Sequence, residues 1–378
     1  FNHKVESLIL QNQAISGVKC RIEQTGEQLE INAPVVIVAS GGINGDIDRV
    51  KREWDKSWGK PPAHILNGAH RYADGCLHDA IEDIDGRVSN LHQMWNYAAG
   101  IHHPQPDTPL EGLSLIPPKS ALWLDATGKR FGPLPLVTGF DTHLICKRIS
   151  QDPHGYSWQV MNWKIAMKEI AVSGAESNTA FRDRRIFQLA RDILLGNRKL
   201  LEYLVNECED VIVADSLESL VDKMNHLNNT SAAPCTGIVD LDNIRTSIES
   251  YDAQIDRGAE FHNDDQLRKL AQVRHWRGDK SRTCKFAKIL DSKSMPLVAF
   301  REFIVSRKSM GGIQTDLESR VLSNGGEPIP GLYAAGEAAG FGGGGISGLK
   351  SLEGTFISNC ILNARMATRS ITNQSLTP

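Results

Sequence analysis

Pro330-Gly331-Leu332-Tyr333-Ala334-Ala335-Gly336-Glu337-Ala338-Ala339-Gly340-Phe341 runs directly into Gly342-Gly343-Gly344-Gly345 and then into a helix-like stretch. Leu332 to Ala335 are apolar and mostly small, as in a buried parallel strand. The glycines that follow let a polyanionic or planar ligand approach main-chain N–H groups with no Cβ in the way. Glu337 falls where the strand should end, and the helix expected over 352–367 would aim its N-terminal dipole at the same point. A flexible linker would need neither the apolar strand before the glycines nor the apolar-periodic helix after them.

Two further stretches have the same character, and two more follow a related pattern. Val35-Val36-Ile37-Val38-Ala39-Ser40-Gly41-Gly42 is a second apolar strand ending in a glycine turn, and Ser309-Met310-Gly311-Gly312-Ile313-Gln314-Thr315-Asp316 is another glycine-punctuated strand. Ser120-Ala121-Leu122-Trp123-Leu124-Asp125-Ala126-Thr127-Gly128-Lys129-Arg130-Phe131 reads as a hairpin, and Leu352-Glu353-Gly354-Thr355-Phe356 as a helix entry. In this order, over nearly the whole chain, these motifs resemble the succinate dehydrogenase/fumarate reductase flavoprotein family, in particular its 3-ketosteroid-dehydrogenase-like branch of FAD-binding dehydrogenases. The resemblance implies an α/β fold: a Rossmann-like flavin domain with an α+β cap domain inserted into it.

Flavoproteins of this type open with a strand, G-x-G-x-x-G and a helix whose N-terminus holds the FAD pyrophosphate. No such pattern occurs here, and Phe1 to Glu30 already read as a β-meander with Gly17 and Gly26 as turn residues. The expectation is therefore a flavin domain incomplete at its N-terminal side, whose first segment belongs to the same polypeptide.

Composition is consistent with a soluble, multi-domain globular protein. The 378 residues are 40% hydrophobic with a net charge of -3, so a nucleic-acid partner is not expected. No apolar run reaches membrane-spanning length, so no membrane span is expected either. The 7 cysteines are scattered and never spaced C-x-x-C, which points to reduced thiols, a cytoplasmic setting and no metal site. Cys360 reads as a buried core thiol.

The organisation expected is a flavin-binding segment over 1–94, a cap or substrate domain over 95–296 and a second flavin-binding segment over 297–378. Asp74-Gly75 opens a helix over 74–85. The inserted part carries prolines 104, 106, 109, 117 and 118 and then amphipathic helices over 182–195, 217–227 and 240–257. The basic run 274–282 reads as a solvated loop. His102 and His103 are adjacent and would point apart on a strand, with no further ligand spaced to complete a metal site.

The resemblance assigns the cofactor contacts residue by residue. Glu337, after Gly336, would accept hydrogen bonds from the ribityl hydroxyls. Ala39, Ser40, Gly41 and Gly42 would face the adenosine half, and Met310, Gly311 and Gly312 would lie against the flavin ring. Backbone N–H groups near Gly354 and Thr355 would face flavin N1 and O2, stabilising the negative charge of the reduced ring. Trp95 would offer an aromatic wall to a flat substrate, with the Tyr97 hydroxyl as acid or base; packing at a domain joint is an equally good reading of both. Arg307 and Lys308 would polarise a substrate carbonyl, or else form a solvent-facing basic pair.

Fumarate-reducing relatives carry an arginine at the place of Ser351 and another shortly after the hairpin, where this chain has Phe140-Asp141-Thr142. A dicarboxylate would thus lack its bidentate clamp and its acid. The reading that follows is an FAD-dependent dehydrogenase acting on a CH–CH bond of an apolar ketone, with an electron acceptor that no motif specifies. Dicarboxylate chemistry and a non-catalytic relative unable to hold FAD stand as the alternatives.

Overall fold

The computed structural model describes residues 1–132, 142–174, 177–340 and 355–375. The chain divides into two compact units: Phe1–Ser57, Asn67–Asn96 and Ser306–Pro378 form the first, and Trp58–Leu66 with Tyr97–Val305 the second.

In the first unit, strands His3–Gln11, Ala14–Ile22 and Gln28–Asn32 form an antiparallel meander in sequence order. Its first turn uses Asn12 and Gln13, both at positive φ, which matches the twist of a two-residue hairpin. A second sheet places Pro328–Ala334 between Arg320–Leu322 and Val36–Val38. The last pairing is parallel, with Leu332, Tyr333 and Ala334 opposite Val36, Ile37 and Val38. Leu8, Ile15, Val38, Ile81, Leu332 and Ala338 belong to one buried apolar cluster, to which strands, helix Cys76–Glu82 and the turn after Ala335 all contribute. The C-terminal helix is Thr355–Ser375. Residues 352–354, part of the expected helix entry, lie outside the described residues.

The second unit is built around the long strand Leu297–Ser309, in which the chain returns to the first unit. It belongs to an eight-stranded sheet in which Met94–His102, Ser157–Asn162, Val211–Ala214 and Ile65–Asn67 all pair with it. Helices Leu217–Thr230 and Leu241–Asp256 are capped by Ser216 and Asp240, whose side chains accept from the N–H groups of Ser219 and Asn243.

Three expectations need correction. The helix read over 182–195 is two helices, Thr179–Arg182 and Ile186–Leu195, because Arg184 turns the chain at φ +54°. The run 274–282 is not a loop: it contains the short helix Arg277–Arg282. Cys360 is only half-buried, on the C-terminal helix.

Within the central strand, the Glu302 carboxyl is fully buried, and neither oxygen has a hydrogen-bond partner among the described residues. Burial holds it well above the usual carboxylate range, and the Asp210 charge adds to the effect. As pH rises past the ordinary glutamate value, the unfolded chain ionises while the folded one keeps its proton. Stability is then lost at about 1.4 kcal/mol per pH unit until the folded carboxyl itself ionises. Glu302→Gln should remove this slope, so its urea midpoint should exceed that of the parent at pH 8 and not at pH 4. Equal effects at both pH values would contradict the buried neutral acid.

Candidate functional site

Parallel pairing of Val36–Val38 with Pro328–Ala334 brings the turns after both strands to the same carboxyl edge of the sheet. Ala335 N–H donates to the Val38 carbonyl at 2.9 Å and holds that edge together. Such an edge is where open α/β sheets receive ligands. Ala39 and Ser40 are exposed there, and Gly41 (φ +82°) and Gly336 (φ +71°) make the bends that follow. Glu337 is the second residue of the one-turn helix Gly336–Ala339.

A buried polar network locks these turns to the strand that carries Ser309. Glu337 Oε1 accepts from Ser309 N–H at 2.8 Å. The Ser309 hydroxyl donates to Asn44 Oδ1 at 2.7 Å and accepts from Ile43 N–H at 2.9 Å. Asn44 Nδ2 in turn donates to Ser306 Oγ at 2.8 Å and to Asn96 Oδ1 at 3.3 Å. Gly42 must be glycine in this arrangement, since a Cβ would lie 2.2 Å from Ser309 Oγ and 2.8 Å from Glu337 Oε1. From the other side, His78 on helix Cys76–Glu82 donates through Nε2 to the Ala338 carbonyl at 3.1 Å. Burial pushes the His78 imidazole down to about 4, so it is neutral and serves as a fixed donor.

Glu337 itself is held above the usual carboxylate range by burial, against the pull of the Ser309 N–H and of Lys308 and Arg307. Burial depresses both cations as well, while the Glu337 charge opposes that shift. Lys308 Nζ lies 4.8 Å from the centre of the Phe356 ring, and that ring packs edge-on against Trp95 at 6.1 Å. Lys308, Phe356 and Trp95 thus form one aromatic-cation stack. Trp95 Nε1 is buried and has no hydrogen-bond partner among the described residues. Tyr97 follows two residues later on strand Met94–His102, on the same face and half-buried, and is part of the second unit.

Met310, Gly311 and Gly312 pass closely behind the Glu337 turn: a Cβ on Gly312 would lie 2.5 Å from the Ala338 carbonyl oxygen. The structure therefore brings together the Ala39–Ser40–Gly41–Gly42 turn, Met310 to Gly312, Gly336 and Glu337, and links them to Arg307, Lys308 and Trp95. Gly354 lies outside the described residues, and Thr355 is the first residue of the final helix. Asn44, Ser306, Asn96 and His78 were not singled out by sequence, because a buried polar residue carries no periodic signal.

These features fit an FAD group. A carboxylate with one oxygen already anchored stands at the mouth of two glycine turns, exposed backbone borders them, and an indole N–H has no partner among the described residues. The family described as FAD binding domain matches residues 1–357. The chain belongs to that family. It is 36% identical over 382 residues to a KsdD-like steroid dehydrogenase of Mycobacterium tuberculosis (strain ATCC 25618 / H37Rv), covering 97% of this chain and 66% of the relative. A KsdD-like steroid dehydrogenase of Mycolicibacterium smegmatis is 35% identical, over 94% of this chain and 66% of its own length. This chain thus spans just under two thirds of the curated relatives it matches. Among solved structures, 3-ketosteroid Δ1-dehydrogenase from Sterolibacterium denitrificans, in complex with 1,4-androstadiene-3,17-dione, aligns with TM-score 0.64 at 16% identity, over 99% of this chain and 60% of that one. A flavocytochrome c3 fumarate reductase in its open conformation aligns with TM-score 0.62 at 16% identity, over 99% and 52%. Both share the fold expected from the sequence.

Proposed function

We propose that this chain is the flavin-binding body of an FAD-dependent dehydrogenase that acts, in the cytoplasm, on a CH–CH bond of an apolar, ketone-bearing, steroid-like substrate. The observation that carries the reading is the meeting of the Gly41–Gly42 and Gly336–Glu337 turns at one sheet edge, tied by the Ser309–Glu337 hydrogen bond. The steroid dehydrogenases named above, at 35% and 36% identity, supply the substrate class. Residues 95–296 are assigned as the substrate domain, between flavin-binding segments 1–94 and 297–378.

Bound FAD would supply the hydride acceptor. The residues of the chain bind and orient. With Oε1 occupied by Ser309, Glu337 would hold the ribityl hydroxyls through its remaining oxygen, and the Ala39–Gly42 turn would offer backbone to the adenosine half. Met310, Gly311 and Gly312 would give a flat wall beside the ring, and Trp95 would give an aromatic wall for a planar substrate. Tyr97 is assigned the removal of a proton from the carbon next to the ketone, with Arg307 and Lys308 donating to the carbonyl oxygen as charge gathers there.

Glu337→Gln keeps an acceptor for Ser309 N–H but removes the charge. Losing one charged hydrogen-bond acceptor should weaken FAD retention about ten- to a hundredfold. Loading the chain with FAD, followed by gel filtration and an absorbance scan across the flavin bands, measures this directly. Unchanged flavin content in the variant would remove Glu337 from the cofactor site. Turnover of 3-ketosteroids with an artificial acceptor by the flavin-loaded chain then tests the substrate class.

A further inference from the structure

Helix Ile186–Leu195 in the second unit is turned inside out. Its outward positions, 186, 187, 190, 191, 194 and 195, recur at helical spacing, and its half-buried positions are Gln188, Leu189, Asp192 and Ile193. The outward stripe is nevertheless apolar: Ile186 is 73% exposed, Phe187 95%, Leu194 65% and Leu195 68%. Phe181, on the preceding short helix, is 69% exposed and extends it. No residue of helix Ile186–Leu195 is buried, so this face contributes nothing to the core of its unit.

The helix is nonetheless firmly attached. Lys168 Nζ donates to the carbonyls of Ile193 and Leu194, and Asn197 N–H donates to the Met167 carbonyl. An apolar stripe held outward by a fixed support is a surface made to be covered.

The charge around it indicates what covers it. Residues 179–199 carry six basic side chains (Arg182, Arg184, Arg185, Arg191, Arg198, Lys199) against Asp183 and Asp192, in a chain whose net charge is -3. Asp183 pairs with Arg182 and Arg185, Asp192 with Arg191, and Arg198 with Glu202. Leu194 and Leu195 also line a groove of about 670 Å³ with Lys164, Lys168, Arg274 and Lys285, where Asp291 is the one acid among the described residues. Apolar side chains at the crest with arginine and lysine at their flanks match a bilayer surface, in which apolar groups enter the acyl boundary and cations meet phosphate. An isologous dimer through this face would set the same cations against one another. Among the described residues no helix is long and apolar enough to cross a membrane, so the contact is one of lying on the surface.

We propose that the face formed by Phe181, Ile186, Phe187, Leu194 and Leu195, with the surrounding arginines and lysines, docks the protein onto an anionic phospholipid surface. The proposal does not rest on the dehydrogenase reading, and its test involves no turnover.

The test is co-sedimentation of the chain with vesicles of phosphatidylcholine alone and of phosphatidylcholine with an equal part of phosphatidylglycerol, at low and high salt. Binding is expected to the anionic vesicles only and to weaken as salt screens the cations. Phe187→Glu with Leu194→Glu should lower the apparent affinity at least about tenfold, as should Arg184→Glu with Arg185→Glu. All four residues are exposed, so circular dichroism and the thermal midpoint should stay at parent values. Failure of the parent to sediment with anionic vesicles at low salt would overturn the proposal, as would equal binding by both folded variants. Concentration-dependent dimerisation abolished by the same substitutions would also overturn it and give the face to a second copy of the chain.

Discussion

Gly311→Ala should strongly destabilise the first unit. A Cβ at Gly311 would lie 2.1 Å from the Asn90 carbonyl oxygen, 2.2 Å from its carbon and 2.4 Å from the Ser89 carbonyl oxygen. These are backbone atoms with no rotamer to escape into. They are also fixed, because Val88 and Ser89 pair with Ile313 and Gly312, and Gln93 O accepts from Met310 N–H. Gly340, at φ +65°, lies equally close on the other side, where a Cβ would be 2.6 Å from Met310 O. Strand and turn therefore touch backbone to backbone, and a methyl group can enter only by separating them. Overpacking a site that cannot relax costs ~3 kcal/mol or more. Ser309 and Glu337 belong to the same two segments, so flavin retention should fall together with stability. Gly278→Ala is the control: it lies in helix Arg277–Arg282 with nothing within 4 Å of its would-be Cβ. It should stabilise by ~0.5–1 kcal/mol. Urea unfolding of both variants measures the contrast, and a Gly311→Ala loss below ~1 kcal/mol would mean that the two segments are not packed as described.

The same glycines explain why the fold class was legible. An apolar strand ending in glycine is a local pattern, and at 35–42, 309–316 and 330–340 that pattern marks places where the chain passes close against neighbouring segments. Helix Leu241–Asp256 was equally readable from Ile244, Ile248 and Tyr251 at helical spacing behind the Asp240 cap. The break at Arg184 was not, since neither glycine nor proline announces it and the apolar period carries on through it. Nor was the outward turn of helix Ile186–Leu195, because periodicity shows that a helix has an apolar face but not whether anything covers it. The buried polar groups were hidden for a different reason. Ser309 and Asn44 are 265 residues apart, and Asp210 and Arg301 are 91 apart, so each pair is joined only by the sheet register. A sequence reading sees one serine and one asparagine, both of types that usually face water.

Arg301→Ala should be the most destabilising single substitution in the second unit. Arg301 and Asp210 are both fully buried, with Nε and Nη2 at 3.0 and 2.9 Å from Asp210 Oδ1. Nη1 donates to Ser231 Oγ at 2.9 Å, and the other Asp210 oxygen accepts from His102 Nδ1 and from the His102 N–H, each at 2.7 Å. His102, Glu209 and Asp210 are clustered tightly enough to resemble a cation site, but both Asp210 oxygens are already engaged, and this is an ion-pair network. Removing the arginine leaves a buried carboxylate with only the imidazole to answer its charge, which costs ~3–5 kcal/mol. The loss should depend on pH. Burial pulls the His102 imidazole down, but Asp210 and Glu209 together hold it above its usual range, and Arg301 works against them. Without Arg301 the imidazole rises further. Protonated His102 then answers Asp210 at low pH, and that support disappears as pH climbs through the imidazole range. Arg301→Ala should accordingly be less damaging at pH 5.5 than at pH 8.5. Replacing both partners, as Arg301→Met with Asp210→Leu, removes the stranded charge and should recover much of the loss, giving a large coupling in a double-mutant cycle. Additive single losses with no dependence on pH would show that Arg301 and Asp210 act separately, and that the strand is held by its apolar packing alone.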